Sequence, residues 1–188
     1  FYRRLRQSAV LQSVKELITL ARARPGALNY AASAIGGSGH LAAELFKSMA
    51  GVNIVNVPYK GNAASITALI SGEVQLTFID GEVVAPHIKS GRLKALAVTG
   101  TESLPAAAGL PTLPTVANSG LPGYEAVGAT AIFAPAKTPA AIINRLNQEI
   151  VRVPKLPDAS SPEQLGAVMK SDMAKWGKVI KDAGVKVQ

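Results

Sequence analysis

The sequence predicts an α/β protein with one largely parallel sheet, and three observations lead there. Short apolar runs alternate with amphipathic helical stretches through the first hundred residues. Glycines close most of the helical stretches. The most glycine-rich loop, Gly36-Gly37-Ser38-Gly39, falls between a strand pattern and a helix pattern. In a parallel sheet that junction lies beyond the carboxyl end of a strand, where ligands bind.

In chain order, Ser13-Val-Lys-Glu16 has the spacing of a capping box, with Val14, Leu17, Ile18 and Ala21 on one face, predicting a helix over 13–24. Pro25-Gly26 stops it and 27–31 reads as the first strand. After the glycine loop, a helix over 39–50 ends at Gly51. A second strand is expected at 53–57 and a helix from Asn62, as its cap, to about Ile70 before Gly72. A third strand is expected at 74–79, a loop at Asp80-Gly81-Glu82, a short helix at 83–89 and a fourth strand at 93–99. Prolines 105, 111, 114 and 122 make 101–124 an irregular crossover. Residues 126–134 read as strand, and Thr138-Pro139 opens a helix that runs to Val153. Ser161-Pro162-Glu163 opens a last helix toward Gly184, with Trp176 among its core residues.

Composition narrows the function. The chain of 188 residues is 48% hydrophobic and 17% charged, enough to bury a substantial core. No apolar run approaches the roughly 18 residues of a membrane helix, and the opening residues lack the apolar centre of an export signal. Zero cysteines exclude disulfides and thiolate metal sites, and two histidines leave little for a metal, so neither metal nor cofactor is expected. The net charge of +8 sits at the ends: +5 over residues 1–24, zero over 25–144 and +3 over 145–188. With only 5% aromatics, that distribution argues against a nucleic-acid partner.

The glycine loop suggests an anion site. Glycines 36, 37 and 39 let backbone N–H groups converge where a helix begins, and a helix N-terminus offers open donors and a positive dipole end. Tyr59-Lys60-Gly61 and Asp80-Gly81 fall on the same rim of the sheet. The alternative is that the glycines only make a tight turn.

Several spaced motifs, among them Gly36 to His40, Ala43 to Gly51, Val57-Pro-Tyr-Lys-Gly61, Pro86 to Val98, Leu113-Pro-Thr-Val116, Gly120 to Glu125 and Ala174 to Ile180, resemble the Bug/TctC family. These are periplasmic substrate-binding proteins of tripartite tricarboxylate transport. The resemblance runs from Ser13 onward. It implies a type II periplasmic-binding-protein fold, here one α/β domain plus a remnant of the second, and no catalysis. It also implies a periplasmic location and a membrane permease as partner. The ligand it implies is a small carboxylate: a dicarboxylate, a tricarboxylate, or an acidic or amide amino acid. On this resemblance the ligand wall is Ser33, Gly36, Gly37, Ser38, Gly39 and Asp80, with Tyr59 and Lys60 as weaker members. The family's N-terminal half, with its export signal and a Pro-Gly-Gly loop on the opposite wall, has no counterpart here. Ala32, Ala34 and Ala129 depart from the family pattern, and 154–160 is shortened.

The expected organisation is a divergent segment at 1–12, a ligand-binding domain at 13–124, and a strand and helices at 125–188 that belong to or dock on the other domain. Val127, Ile132, Phe133, Ile142, Ile143, Leu146 and Ile150 would then lack partners, so a homodimer is expected. The rival from another class is a serine hydrolase using Ser38, His40 and Asp80, because Gly36 to His40 imitates a nucleophile elbow. Against it stand the incomplete Gly-x-Ser-x-Gly pattern and the closeness of His40 to Ser38.

Overall fold

A computed structural model of the chain describes residues 11–103, 111–128, 131–152 and 161–185. Two compact units divide it: residues 1–127 with 179–188, and residues 128–178.

The first unit begins with helix α1, Val14–Ala23. Ser13 Oγ accepts the Glu16 N–H at 3.2 Å, while the Glu16 carboxylate reaches back to the Gln12 N–H at 2.8 Å, one residue earlier than the usual capping box. Its apolar face is the expected one, with Val14, Leu17, Ile18 and Ala21 all buried. Three strands follow: β1 at Asn29–Ala32, β2 at Val55–Pro58 and β3 at Leu76–Thr77. They form a parallel sheet in the order β2-β1-β3, with Asn29 opposite Val55 and Tyr30 opposite Leu76. Central β1 buries Tyr30, Ala31 and Ala32, because helices cover both faces of a parallel sheet.

Helix α2, Ser38–Ala50, returns the chain from β1 and ends at Gly51 with φ +60°. Arg22 of α1 donates from Nε and Nη2 to the Ala50 carbonyl at 3.1 and 2.8 Å, supplying a cationic cap to the C-terminus of α2. Helix α3, Asn62–Ser71, starts from Gly61 rather than from Asn62, and ends at Gly72 with φ +79°. Helix α4, Gly81–Lys89, begins directly after Asp80, so the expected Asp80–Glu82 loop is already its first turn.

The fourth strand predicted at 93–99 does not form. Residues 75–81 and 92–99 both line a cavity of about 550 Å³, and among the described residues no backbone hydrogen bond joins the two segments. Val98 pairs instead with Thr115: its N–H donates to Pro114 O and its carbonyl accepts the Val116 N–H, both at 2.9 Å. The crossover is irregular as predicted in its described residues, 101–103 and 111–124, yet 111–124 is packed. Leu113, Thr115, Val116, Leu121 and Tyr124 are buried. Thr115 replaces ladder bonds that the prolines cannot make, its Oγ1 accepting the Asn118 N–H and its carbonyl the Ser119 hydroxyl.

The second unit contains helix α5, Ala140–Val151, and most of helix α6, Pro162–Asp182. Ser161 and Gln164 close a reciprocal capping box on α6, at 3.2 and 2.8 Å. The strand predicted over 126–134 is absent among its described residues, since an apolar run becomes a strand only beside another strand. No described residue from 131 to 178 is buried. Trp176, expected in the core, is half-buried and carries the Lys175 ammonium 5.3 Å above its ring.

Candidate functional site

The rim at the carboxyl ends of β1, β2 and β3 brings three loops together. Tyr59 N–H donates to Ala32 O at 2.8 Å, extending the parallel ladder past β2, and Gly61 N–H reaches Ser33 O at 3.4 Å. On the other side, Gly39 lies so close to the end of β3 that a Cβ there would stand 2.3 Å from Phe78 O. Only glycine allows that approach, which sets the glycine loop beside Asp80 and Gly81.

Within the loop, Gly36 has φ +78°, a turn that other residues adopt only with strain. Its N–H donates to His40 Nδ1 at 3.0 Å, and Gly37 N–H donates to Ala34 O at 3.2 Å. Gly37 is the N-cap of α2 and has no side chain to give. The first i→i−4 bond is Leu41 N–H to Gly37 O at 2.9 Å, so the N–H groups of Ser38, Gly39 and His40 lie ahead of the helical ladder. Ser33 and Ser38 are exposed, and Gly36, Gly37 and Gly39 half-exposed. That combination, open donors at the positive end of a 13-residue helix, suits a carboxylate.

The remaining expected residues divide. Asp80 is exposed and is the N-cap of α4, with no cap bond from its side chain. Tyr59 packs its ring against the cluster of Ala31, Ala68 and Val74 rather than standing in the rim, and Lys60 is exposed. The cavity beside β3 is a different place. Of the expected ligand residues only Asp80 lines it, and its walls are mainly apolar side chains such as Leu17, Phe46, Val84 and Val98.

Beneath the loop lies a buried polar cluster that sequence reasoning missed. Glu44, 8% exposed, accepts the Tyr30 hydroxyl at 2.7 Å on Oε1 and the Lys47 ammonium at 2.7 and 2.9 Å on both oxygens. His40 stacks on Tyr30 with ring centroids 6.3 Å apart. Burial, then the hydrogen bond and charge of Glu44, push the Tyr30 phenol well above its ordinary pKa. Burial lowers the His40 pKa, with Glu44 opposing and Lys47 reinforcing the shift. The spacing of His40, Glu44 and Lys47 along one helical face was the available signal.

The hydrolase alternative fails on this geometry. His40 uses Nδ1 to hold Gly36 and directs Nε2 toward Glu44, 3.9 Å away. Among the described residues no hydrogen bond joins Ser38 to His40 or to Asp80, so no nucleophile–base pair is assembled.

A parallel α/β domain with a helix N-terminus open at its carboxyl rim has the arrangement in which open α/β sheets hold small anions, and solved periplasmic binding proteins share its fold. The chain belongs to the tripartite tricarboxylate transporter receptor family, TctC, whose pattern it matches over residues 5–185. It is 30% identical to protein BugT of Bordetella pertussis over 95% of this chain and 58% of that protein. It superposes on the structure of R. palustris Rpa4515 with adipate at TM-score 0.80 and 36% identity, over 95% of this chain and 63% of that one. The periplasmic binding protein BugD superposes at TM-score 0.75 and 27% identity, over 96% and 64%. The chain thus spans little more than half the length of BugT and of a 32% identical relative from Pseudomonas sp. strain P51.

Proposed function

We propose that this chain is the carboxylate-gripping part of a periplasmic solute-binding protein that serves a tripartite tricarboxylate-type permease and performs no chemistry on its ligand. The observation that carries the reading is the open first turn of α2, with the N–H groups of Ser38, Gly39 and His40 unbonded within the helix at the rim. The similarity to an adipate-bound protein at 36% identity supports a small dicarboxylate as ligand. Ser33 and Gly36 to Gly39 form the wall that receives one carboxylate. Asp80, exposed at the adjacent helix start, sets selectivity by repelling a bare carboxylate and favouring a ligand that also carries a donor. Lys60 adds a cation from the third loop, and Tyr59 serves as support beneath it.

In this reading residues 13–124 are the ligand domain, and within 125–188 the second unit, 128–178, docks on another surface. The second unit leaves Ile132 72%, Phe133 71%, Ile142 50% and Leu146 48% exposed. Fully burying such side chains contributes about 1.5 to 3 kcal/mol each. Their exposure is the ground for proposing a homodimer in which a second copy of the chain would cover them. Light scattering at tens of micromolar tests it, and a strict monomer refutes it.

Calorimetric titration of the chain with adipate, citrate and glutamine tests the function itself. Saturable binding of at least one is expected, with a melting temperature that rises with ligand concentration. No heat and no shift with any of them would refute the reading.

A further inference from the structure

We infer that His40 is a positioning residue for the glycine loop: its Nδ1 lone pair holds the Gly36 turn in place so that the first turn of α2 faces an arriving carboxylate, and a proton on Nδ1 releases that turn. The inference rests on the carboxylate reading of the same loop.

The Gly36 turn needs an external anchor, because at φ +78° a glycine is free to leave for many other conformations. The anchor is the 3.0 Å bond from Gly36 N–H to His40 Nδ1. A nitrogen that accepts carries no proton, so the neutral ring bears its hydrogen on Nε2, the side that faces Glu44. The ring itself cannot swing away. It is 6% exposed and stacked on Tyr30 at an interplanar angle of 20°. Tyr30 and Lys47 both bind Glu44 and so fix the carboxylate beside which the ring sits.

Among the described residues, the titratable groups that face His40 are Tyr30 from β1 and Glu44 and Lys47 from its own helix. Tyr30 stays neutral, and the charge of Lys47 opposes that of Glu44. Burial therefore decides in favour of the neutral ring near pH 7, which keeps the acceptor available. Adding the proton to Nδ1 sets two N–H donors against each other, and the loop must move. Exposed Ser38 and Asp80 have no such control, since solvent satisfies them in any loop position.

Nuclear magnetic resonance of ¹⁵N-labelled chain reads the anchor without a ligand. An N–H···N bond transmits a scalar coupling from Gly36 N to His40 Nδ1. The expected result is that coupling near neutral pH, its loss on acidification, and a Gly36 amide shift with the same midpoint as His40, below 6.5. Calorimetry with adipate supplies the functional arm. Affinity should fall by up to about tenfold per pH unit below that midpoint in the native chain. His40→Asn, whose Oδ1 can take the Gly36 N–H, should bind with that dependence removed, whereas His40→Leu should bind at least about tenfold more weakly at every pH. Titration of adipate itself affects all three proteins alike. Absence of the coupling, or a Gly36 amide that ignores the His40 titration, overturns the inference, and native chain with His40→Asn decides it if His40→Leu does not fold. Should Gly36 follow His40 while adipate binds to none of the proteins, the anchor stands and the carboxylate reading falls.

Discussion

Replacing Gly39 by alanine separates binding geometry from fold stability. The added Cβ would sit 2.3 Å from Phe78 O, a backbone atom at the end of β3, so α2 must retreat by about 1 Å to regain ordinary contact. Overpacking of this kind typically costs 1–3 kcal/mol. Alanine in place of glycine in the first turn of a helix returns roughly 0.5–1 kcal/mol. The expected net loss is therefore about 0–2.5 kcal/mol by urea unfolding. Binding should suffer more, because the donors of Ser38, Gly39 and His40 move with the helix and hydrogen bonds weaken steeply with misplacement. A fall in adipate affinity of at least about tenfold is expected by calorimetry. Gly166→Ala is the control: it lies in α6 with nothing within 4 Å of the new Cβ, so it should stabilise by roughly 0.5–1 kcal/mol. If Gly39→Ala unfolds at the same urea midpoint as the native chain and binds adipate equally well, the close approach of α2 to β3 does not set the site.

Three further outcomes follow from the same geometry. Ser38→Ala should weaken carboxylate binding by no more than about 1.5–3 kcal/mol, one charge-assisted bond, while Gly37→Val should abolish it; equal affinity in both clears the loop of the role. Asp80→Ala should turn the calorimetric ranking of ligands toward plain dicarboxylates, and an unaltered ranking removes Asp80 from the site. Stability should decline as pH falls below the unfolded histidine value of 6.5, because the folded His40 pKa is lowered and the unfolded chain then binds more protons. In His40→Asn that part of the slope, at most one proton, should vanish, and a persisting slope would assign it to another group.

What the sequence determined on its own was local. Ser13 capping α1, Gly51 and Gly72 closing α2 and α3 in the left-handed conformation, and the alternation that implies a parallel sheet all depend on neighbours a few residues apart. The motifs around Gly36–His40 and Val57–Gly61 were enough to indicate the family, because they are contiguous in the chain. Tertiary structure decided what depends on distant partners. Leu93 to Thr99 has a strand's composition, but it lines the cavity beside β3 without pairing there, and Val98 pairs instead with Thr115, 17 residues on. Nothing near Gly39 in sequence announces Phe78 O, and nothing near Glu44 announces Tyr30, 14 residues earlier on β1. The sheet had to pack against α2 before a buried carboxylate, a phenol and an imidazole could meet beneath the glycine loop. Burial is a property of that packing, and it turns a histidine of ordinary appearance into the acceptor that holds Gly36.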